Sequence, residues 1–258
     1  MANELIKKET TELAIGSVGD VMAELGLSTK DLEIPKILLM QSTSEFVGDE
    51  KAEFGDMVVS KTARKLGDMK NPLDLIILSS FKTWVVYNVS KKGTPEFMRI
   101  EAMTAQNEAL PWDDIEDIDG VKCAIRRDQC LNFYVLLASE VKEGEYFPYC
   151  VSFKRTGYDA AKTIATAILK LKMFGKKSYE KIVSLSVAKE KNDTNTYVKF
   201  IATQTRASTE AEKTAGKMWL DLIKTNNYTV DNSDIVSEKP VAPEVQKTEK
   251  AGPVVELY

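Results

Sequence analysis

The sequence predicts a mainly β protein with flanking helices, an α+β fold, and two observations carry this prediction. Residues 73–89 are rich in β-branched and aromatic side chains, which favour strands. Further candidate strands follow at short spacing, with polar, turn-like segments between them. Five or more strands spaced in this way are typical of a small barrel or sandwich, and we expect an OB-like barrel. These further candidate strands are residues 95–103, 121–127, 131–141 and 146–154.

Three parts are expected along the chain. Residues 1–33 form an N-terminal arm or helix, because apolar residues recur at about helical spacing in 9–25 while two glycines weaken the pattern. Residues 34–228 form the β-rich core with its helices, beginning with the apolar element at 34–41 and a strand at 57–62. Residues 229–258 are expected to be a disordered acidic tail, because six acids against three lysines give −3 of the total charge of −4.

Two helices and a hairpin complete the core. Residues 158–174 place apolar side chains three, four and seven positions apart, with Thr156 as the expected N-cap and Gly175 as the glycine that ends the helix. Residues 208–224 predict a second helix, capped by Ser208 or Thr209. Alternating apolar residues indicate a hairpin between the two helices, formed by residues 181–189 and 196–206.

Composition excludes several kinds of chemistry. Histidine is absent, so a Ser-His or Cys-His nucleophile pair cannot form within the chain. No phosphate-binding loop, dinucleotide fingerprint or nucleophile elbow is present, and we expect no catalysis, no metal and no cofactor. The spacing of Cys123, Cys130 and Cys150 matches no zinc pattern, and we expect all three to be reduced and mostly buried. No signal peptide or membrane-spanning run is visible, so a cytoplasmic location is expected.

A basic segment stands out in a chain that is acidic as a whole. Residues 151–182 contain eight lysines and arginines against two acids, a net of +6. Nucleic-acid phosphates attract such a segment through counterion release. The alternative is an ordinary solvated helix face opposite a buried apolar stripe.

Aromatic and cationic residues alternate on three candidate strands, at 81–87, 147–158 and 197–200. Single-stranded nucleic acid is held by aromatic rings beside a basic groove, which is the functional interpretation of this pattern. Packing of the same rings in the core is the alternative for each single residue. Strand alternation allows two arrangements. In one, Trp84 and Lys154 face outward and Phe81, Tyr87 and Phe153 are in the core, and in the other these positions are reversed.

Residues 108–119 form a candidate acidic loop, with six acids around Trp112. The spacing is not that of an EF-hand, so a divalent-cation site is disfavoured. An exposed loop that keeps duplex DNA away, or that binds a basic partner, is the preferred interpretation.

The strand end Ser152-Phe153-Lys154-Arg155-Thr156, the lysine-rich helix after it and the acidic tail ending in an aromatic residue together resemble a bacteriophage single-stranded DNA-binding protein of the replication module. The element at 34–41, followed by Gly55-Asp56, resembles the same family. The resemblance implies an OB-type barrel, cationic and aromatic residues in a binding cleft, and a C-terminal tail that recruits replication or recombination proteins.

The function expected is sequence-independent binding of single-stranded DNA in phage replication or recombination, in the host cytoplasm and without enzymatic activity. A viral structural or assembly protein, or an inhibitor of a host enzyme acting through the acidic loop, are the alternatives, and the oligomeric state is left open. The expected phosphate contacts are Lys82, Arg126, Arg127, Lys154, Arg155 and Lys162. The expected base-stacking residues are Trp84, Tyr87, Tyr134, Tyr149, Phe153 and Tyr158. The expected partner-binding residues are Val255, Glu256, Leu257 and Tyr258.

Overall fold

The computed structural model of the protein describes residues 24, 26, 28, 32–90, 95–192, 195–225 and 229–230. The predicted N-terminal arm and the predicted acidic tail therefore lie almost wholly outside the described residues. The same holds for the candidate helix at 9–25 and for the four residues at 255–258 that we expect to bind a partner.

Strands dominate the described chain, and the prediction of a mainly β protein with a few helices is confirmed. The strands, in chain order, are β1 (Glu33–Ile34), β2 (Lys36–Leu39), β3 (Met57–Val59), β4 (Lys65–Gly67), β5 (Leu73–Asn88), β6 (Glu96–Ala102), β7 (Asp113–Ile118), β8 (Val121–Leu137), β9 (Tyr149–Lys154), β10 (Lys181–Lys191), β11 (Thr196–Ala207) and β12 (Thr229–Val230). The helices are α1 (Glu45–Gly48), α2 (Ala138–Glu143), α3 (Tyr158–Met173) and α4 (Glu210–Thr225). Short 3-10 turns cover Arg155–Gly157 and Ser178–Glu180.

Two long antiparallel strands, β5 and β8, form the spine of an open mixed sheet. They pair from Leu75 with Leu137 to Asn88 with Ile125, so each is long enough to take two different partners on its outer edge. At one end, β10 pairs with β5 and β9 pairs with β8, which gives the strand order β11-β10-β5-β8-β9-β2-β3-β4. At the other end, β6 pairs with β5 and β7 pairs with β8.

The turn expected near residue 128 is wrong, because β8 continues through it as one strand. Asp128 is buried there, and its carboxylate lies beside the guanidinium groups of Arg126 and Arg155. Ion pairing thus allows a polar residue to occupy the middle of a long strand. The strand predicted at 57–62 ends early, at Val59.

Helix α3, predicted at residues 158–174, is present and covers one face of the sheet. Its residues Ala161 and Ile164 are fully buried in a cluster with Phe133 and Phe153. Gly175, after the helix, has φ of +70°, the left-handed conformation that glycine adopts most readily. The expected cap at Thr156 is wrong, because this residue belongs to the 3-10 turn and no side chain caps the helix.

Helix α4 covers the opposite face together with α2. Trp219 of α4 is buried in a cluster with Ile76 and Leu136 of the sheet. Thr209 caps α4 as predicted, because its hydroxyl accepts from the backbone N–H of Glu212, while the Glu212 carboxylate accepts from the backbone N–H of Thr209. The hairpin predicted between the two helices is present as β10 and β11.

The cysteines are free, with Cys130 and Cys150 buried and Cys123 half-buried, which confirms the expectation. No helix in the described part of the chain is long and apolar enough to cross a membrane.

Candidate nucleic-acid interface

A cavity of about 550 Å³ lies beside strands β2, β5, β8, β9 and β11. Strand register explains its floor. Phe81, Asn132 and Ser152 stand opposite one another across β5, β8 and β9. The next row is Thr83, Cys130 and Lys154, and residues of both rows line the cavity, which we call the cation-lined cavity.

Hydrogen bonds hold the polar part of this floor in place. The side-chain amide of buried Asn132 donates to the hydroxyl of Thr83 at 3.0 Å and to the backbone carbonyl of Phe81 at 3.4 Å. Gln41, at the end of β2, closes one side, because its amide donates to the carbonyl of Val198 at 2.8 Å and accepts from the N–H of the same residue at 3.2 Å. Hydrogen bonds therefore fix the side chains of Asn132 and Gln41 in the lining of the cavity.

Positive charge gives the cavity its chemical character. Five cationic residues line it against one acidic residue, Glu45, and the cations still exceed the acids by one when the three acids paired with them from outside the lining are counted. A concave surface of one charge sign concentrates ligands of the opposite sign. The cavity therefore suits an anionic ligand that also has apolar or aromatic parts. The five cations are Lys36, Lys61, Lys154, Arg155 and Lys199.

Three of these cations are oriented by acids that do not line the cavity. Lys61 pairs with Glu33. Lys199 pairs with Glu190, and this hydrogen-bonded ion pair raises the pKa of Lys199, so its amine stays charged at neutral pH. Arg155 pairs with Asp128.

Five non-glycine residues of the described chain have a positive φ, and two of them, Lys61 and Arg155, line the cavity. Arg155 has φ of +48°, a left-handed conformation that is uncommon for a residue with a side chain. It stands in the 3-10 turn that connects β9 to α3, and its side chain is 54% exposed. Strained residues of this kind concentrate at functional sites, which supports a role for this turn.

Aromatic rings supply the apolar part of the cavity. Phe81 and Tyr197 are partly exposed, whereas Phe153 and Phe200 are buried, with their ring centroids 5.3 Å apart. Phe153 lines the cavity, but its buried ring packs edge-on against Phe133 and Phe200, so it offers little surface for the base stacking expected of it. Phe81 and Tyr197 present more ring surface, and Phe81 also packs against Tyr134 with ring centroids 4.9 Å apart.

Lys82, Tyr158 and Lys162, all predicted contacts, lie near one another outside the cavity. The amine of Lys162 is 5.6 Å from the centroid of the Tyr158 ring, a cation–π contact. Lys82 pairs with Glu108 at 2.6 Å, and this hydrogen-bonded ion pair raises the pKa of Lys82. The nearby Tyr158 raises the pKa of Lys82 further. These residues could extend a binding surface from the cavity toward the start of α3.

The stacking roles expected for Trp84 and Tyr87 are wrong, because both rings are buried at the far ends of β5 and β8. The indole N–H of Trp84 donates to the carbonyl of Asn107 at 3.0 Å, and Trp112 packs edge-on against the ring. Tyr87 is covered by Phe97 of β6. Trp84 also lies on the face of the sheet opposite to Lys154. The arrangement in which Trp84 and Lys154 face outward together therefore does not occur.

Neither Tyr149 nor Tyr134 lines the cavity. Tyr149 is buried, its hydroxyl donates to Glu140 at 2.8 Å and accepts from Arg64 at 2.6 Å, and burial raises its pKa to about 12. Its ring is therefore not presented for the base stacking expected of it. Tyr134 lies next to the cavity, because its half-buried ring packs on the lining ring of Phe81 with centroids 4.9 Å apart, and burial raises its pKa to about 12 as well.

The phosphate contact expected for Arg127 is also wrong. Its side chain is 4% exposed and is held by Asp114 at 3.2 Å, by Glu116 at 2.6 Å and by the carbonyl of Pro111 at 3.0 Å. Arg126, on the other face of β8, lies over the ring of Tyr87 at 5.3 Å. Both arginines stabilise the far end of the sheet.

The predicted acidic loop is largely a strand. Residues Asp113–Ile118 form β7, with Asp113, Ile115 and Asp117 exposed and the alternate residues half-buried. Asp114 and Glu116 bind Arg127, and Glu116 also binds Arg99, so the acids at these positions are structural. Among the described residues, no group of three or more Cys, Asp or Glu side chains could hold a metal ion.

Several lining residues were missed from the sequence. Phe81, Lys199 and Tyr197 belonged to the aromatic and cationic clusters, but the alternation did not show which members face outward. Lys36 is the single cation of the apolar element at 34–41, and this was the one feature of the sequence that could have indicated its place in the lining. Asn132, in a hydrophobic strand, had no partner visible in the sequence.

The fold and the cavity define a mainly β protein with a basic, partly aromatic binding site. Residues 17–225 match the family model described as Pam3 phage gp34-like protein, and because the match covers most of the chain, the chain belongs to this phage protein family. No curated protein and no solved structure matches the chain.

Proposed function

We propose that the protein binds single-stranded DNA, independent of sequence, through the cation-lined cavity. The observation that carries the proposal is the coincidence of five lining cations with partly exposed aromatic rings around one cavity. Cations neutralise phosphates and rings stack on any base, so neither contact reads sequence. No catalysis and no cofactor are needed for this role.

The size of the cavity fits a short part of a strand. A volume of about 550 Å³ is within the range of small-ligand sites, and it suits one or two nucleotides. Lys154 and Arg155 would meet phosphates, and Phe81 or Tyr197 would meet a base. The strand would continue over Tyr158 and Lys162 at the start of α3, which places part of the +6 segment along its path.

Because the chain belongs to a phage protein family, we place the proposed role in phage replication or recombination, in the host cytoplasm. The resemblance to phage single-stranded DNA-binding proteins supports the same role, with residues 255–258 recruiting a partner. The described strands form an open mixed sheet, and the expected OB-like barrel is not confirmed.

The test is fluorescence anisotropy with a labelled oligo-dT of about 30 nucleotides, at low and moderate salt, beside the matching duplex. The label must be on the DNA, because Trp84, Trp112 and Trp219 do not line the cavity and need not report binding. We expect binding to the single strand that weakens with salt. Absence of binding at low salt would overturn the proposal and favour a structural or assembly role.

The decisive variant is Lys154→Glu with Arg155→Glu, which should weaken binding more than about tenfold. Its matched control is Lys70→Glu with Lys142→Glu, two exposed lysines away from the cavity that undergo a comparable change of charge. Equal loss in both variants would show that net charge alone matters, and unchanged affinity in the first would remove these residues from the site. Circular dichroism confirms that each variant folds.

A further inference from the structure

Large exposed apolar side chains concentrate in two short segments of the described surface. Eight such side chains are exposed, and six of them lie within residues 112–121 and 169–174. Clusters of exposed apolar side chains of this kind are typical of contact sites with other molecules. The six are Trp112 (60% exposed), Ile115 (67%), Val121 (62%), Leu169 (60%), Met173 (76%) and Phe174 (81%).

The two segments carry opposite charges. Residues 112–122 hold five acids and one lysine, a net of −4. Residues 169–177 hold four lysines and no acid, a net of +4. We call the first the acidic patch, formed by β7 and its turn into β8. We call the second the basic patch, formed by the end of α3 and the residues that follow it.

The charges at both patches face solvent. Asp113, Asp117 and Asp119 are exposed, while Asp114 and Glu116 are engaged by Arg127 inside the same copy. The basic patch exposes all of its lysines, namely Lys170, Lys172, Lys176 and Lys177. Each patch therefore combines apolar side chains with charges that are complementary to those of the other patch.

The fold keeps the two patches of one copy apart. Ser178, just after the basic patch, donates its hydroxyl hydrogen to the carbonyl of Leu78 at 2.7 Å. At the acidic patch, Ile125 pairs with Asn88 at the other end of β5. Leu78 and Asn88 are separated by about 33 Å of strand, at roughly 3.3 Å per residue. One copy cannot bring its own patches together, whereas two copies can.

We propose that the acidic patch of one copy binds the basic patch of a second copy, so that the protein associates head to tail. Such an interface uses two different surfaces, and it therefore produces a ring if the rotation closes and an open row if it does not. Long-range attraction brings the copies together, and burial of the six apolar side chains stabilises the contact. The proposal is independent of nucleic-acid binding.

The experiment is sedimentation velocity of the full chain without nucleic acid, over a range of protein concentration, at about 0.05 M and about 0.5 M salt. We expect the weight-average sedimentation coefficient to rise with concentration at low salt and to rise less at high salt. A sedimentation coefficient independent of concentration at both salts would overturn the proposal.

Two charge-reversal variants then identify the surfaces. Lys176→Glu with Lys177→Glu lowers the net charge of the basic patch from +4 to 0, and Asp113→Lys with Asp117→Lys raises that of the acidic patch from −4 to 0. Each variant alone should associate at least about tenfold more weakly than the wild type. The control, Lys70→Glu with Lys142→Glu, should associate like the wild type.

Mixing the two variants provides the decisive measurement, because the first keeps the native acidic patch and the second keeps the native basic patch. The mixture should recover association to within about threefold of the wild type. Loss in both variants without recovery on mixing would overturn the pairing of these two patches. Recovery also shows that both variants are folded.

Discussion

The guanidinium group of Arg155 binds the buried carboxylate of Asp128 through two nitrogens, at 2.6 Å from Nη2 and 3.0 Å from Nε. Arg155 has a left-handed backbone, and Asp128 is in the middle of β8. The central strand thus fixes the direction of a cationic side chain that lines the cavity.

Asp128→Asn should lower the free energy of unfolding by about 1–3 kcal/mol, because Arg155 and Arg126 both lose an ionised partner. Urea denaturation at neutral pH measures the change. Asp159→Asn, at a side chain that is 87% exposed, should change the stability by less than about 0.5 kcal/mol. Equal effects at the two positions would contradict a structural role for the Asp128 pair.

Phe81→Leu should weaken single-stranded DNA binding by about fivefold or more, because leucine keeps the apolar volume but cannot stack on a base. Anisotropy with labelled oligo-dT measures the loss. Phe97→Leu is the control, since Phe97 packs against Tyr87 away from the cavity and should leave affinity unchanged. Full affinity in folded Phe81→Leu would exclude this ring from the interface.

Local patterns predicted much of the fold, because they depend on neighbouring residues. The spacing of Ala161 and Ile164 predicted α3, and the alternation around Phe200 predicted β11. Long-range pairing could not be predicted in the same way. Nothing local indicates that Asp128 meets Arg155 in the turn after the next strand, and the sequence therefore suggested a turn where β8 continues.

The candidate site was predicted in part for the same reason. Lys154 and Arg155 line the cavity, but the choice between outward and inward rings depends on strand register. Register puts Phe81 in the row of Asn132 and Trp84 on the opposite face. The acids of β7 looked free because their partner, Arg127, belongs to another strand.

The stabilising contribution of Tyr149 should be lost at alkaline pH, where its phenol ionises. Its pKa is raised from 10.0 to about 12, chiefly by burial, so the folded state favours the neutral phenol. The contribution to stability is complete below pH 10 and is lost as pH rises toward 12. Tyr149→Phe should cost about 1–2 kcal/mol at pH 8, since the hydrogen bonds with Arg64 and Glu140 are lost.

The difference between wild type and Tyr149→Phe should therefore narrow between pH 10 and 12. Urea denaturation across this range, with phenolate absorbance followed in parallel, measures both effects. Tyr134, whose pKa is also about 12, should still titrate late in the variant. A constant difference at all pH values would contradict the raised pKa of Tyr149.

Gly216 lies in the middle of α4, where the helix backbone comes close to Tyr179 and Ile76 and leaves no room for a side chain. A Cβ at this position would lie 2.6 Å from the Cβ of Tyr179 and 3.3 Å from Cγ2 of Ile76. Tyr179 cannot easily move away, because its carbonyl accepts from the hydroxyl of Ser208 and its neighbour Ser178 is bonded to β5. The helix therefore packs on the sheet at a distance that only glycine allows.

Gly216→Ala has two opposing effects on the free energy of unfolding, one from helix propensity and one from steric overlap. Helix propensity favours alanine by about 1 kcal/mol, whereas overlap with a fixed neighbour costs about 1–3 kcal/mol. Because the overlap involves a Cβ atom rather than the end of a flexible side chain, we expect a net loss of stability of about 1 kcal/mol or more in thermal or urea denaturation. Lys217→Ala, at the adjacent exposed position, should be neutral, and a stabilised Gly216→Ala protein would show that α4 packs less closely on β5.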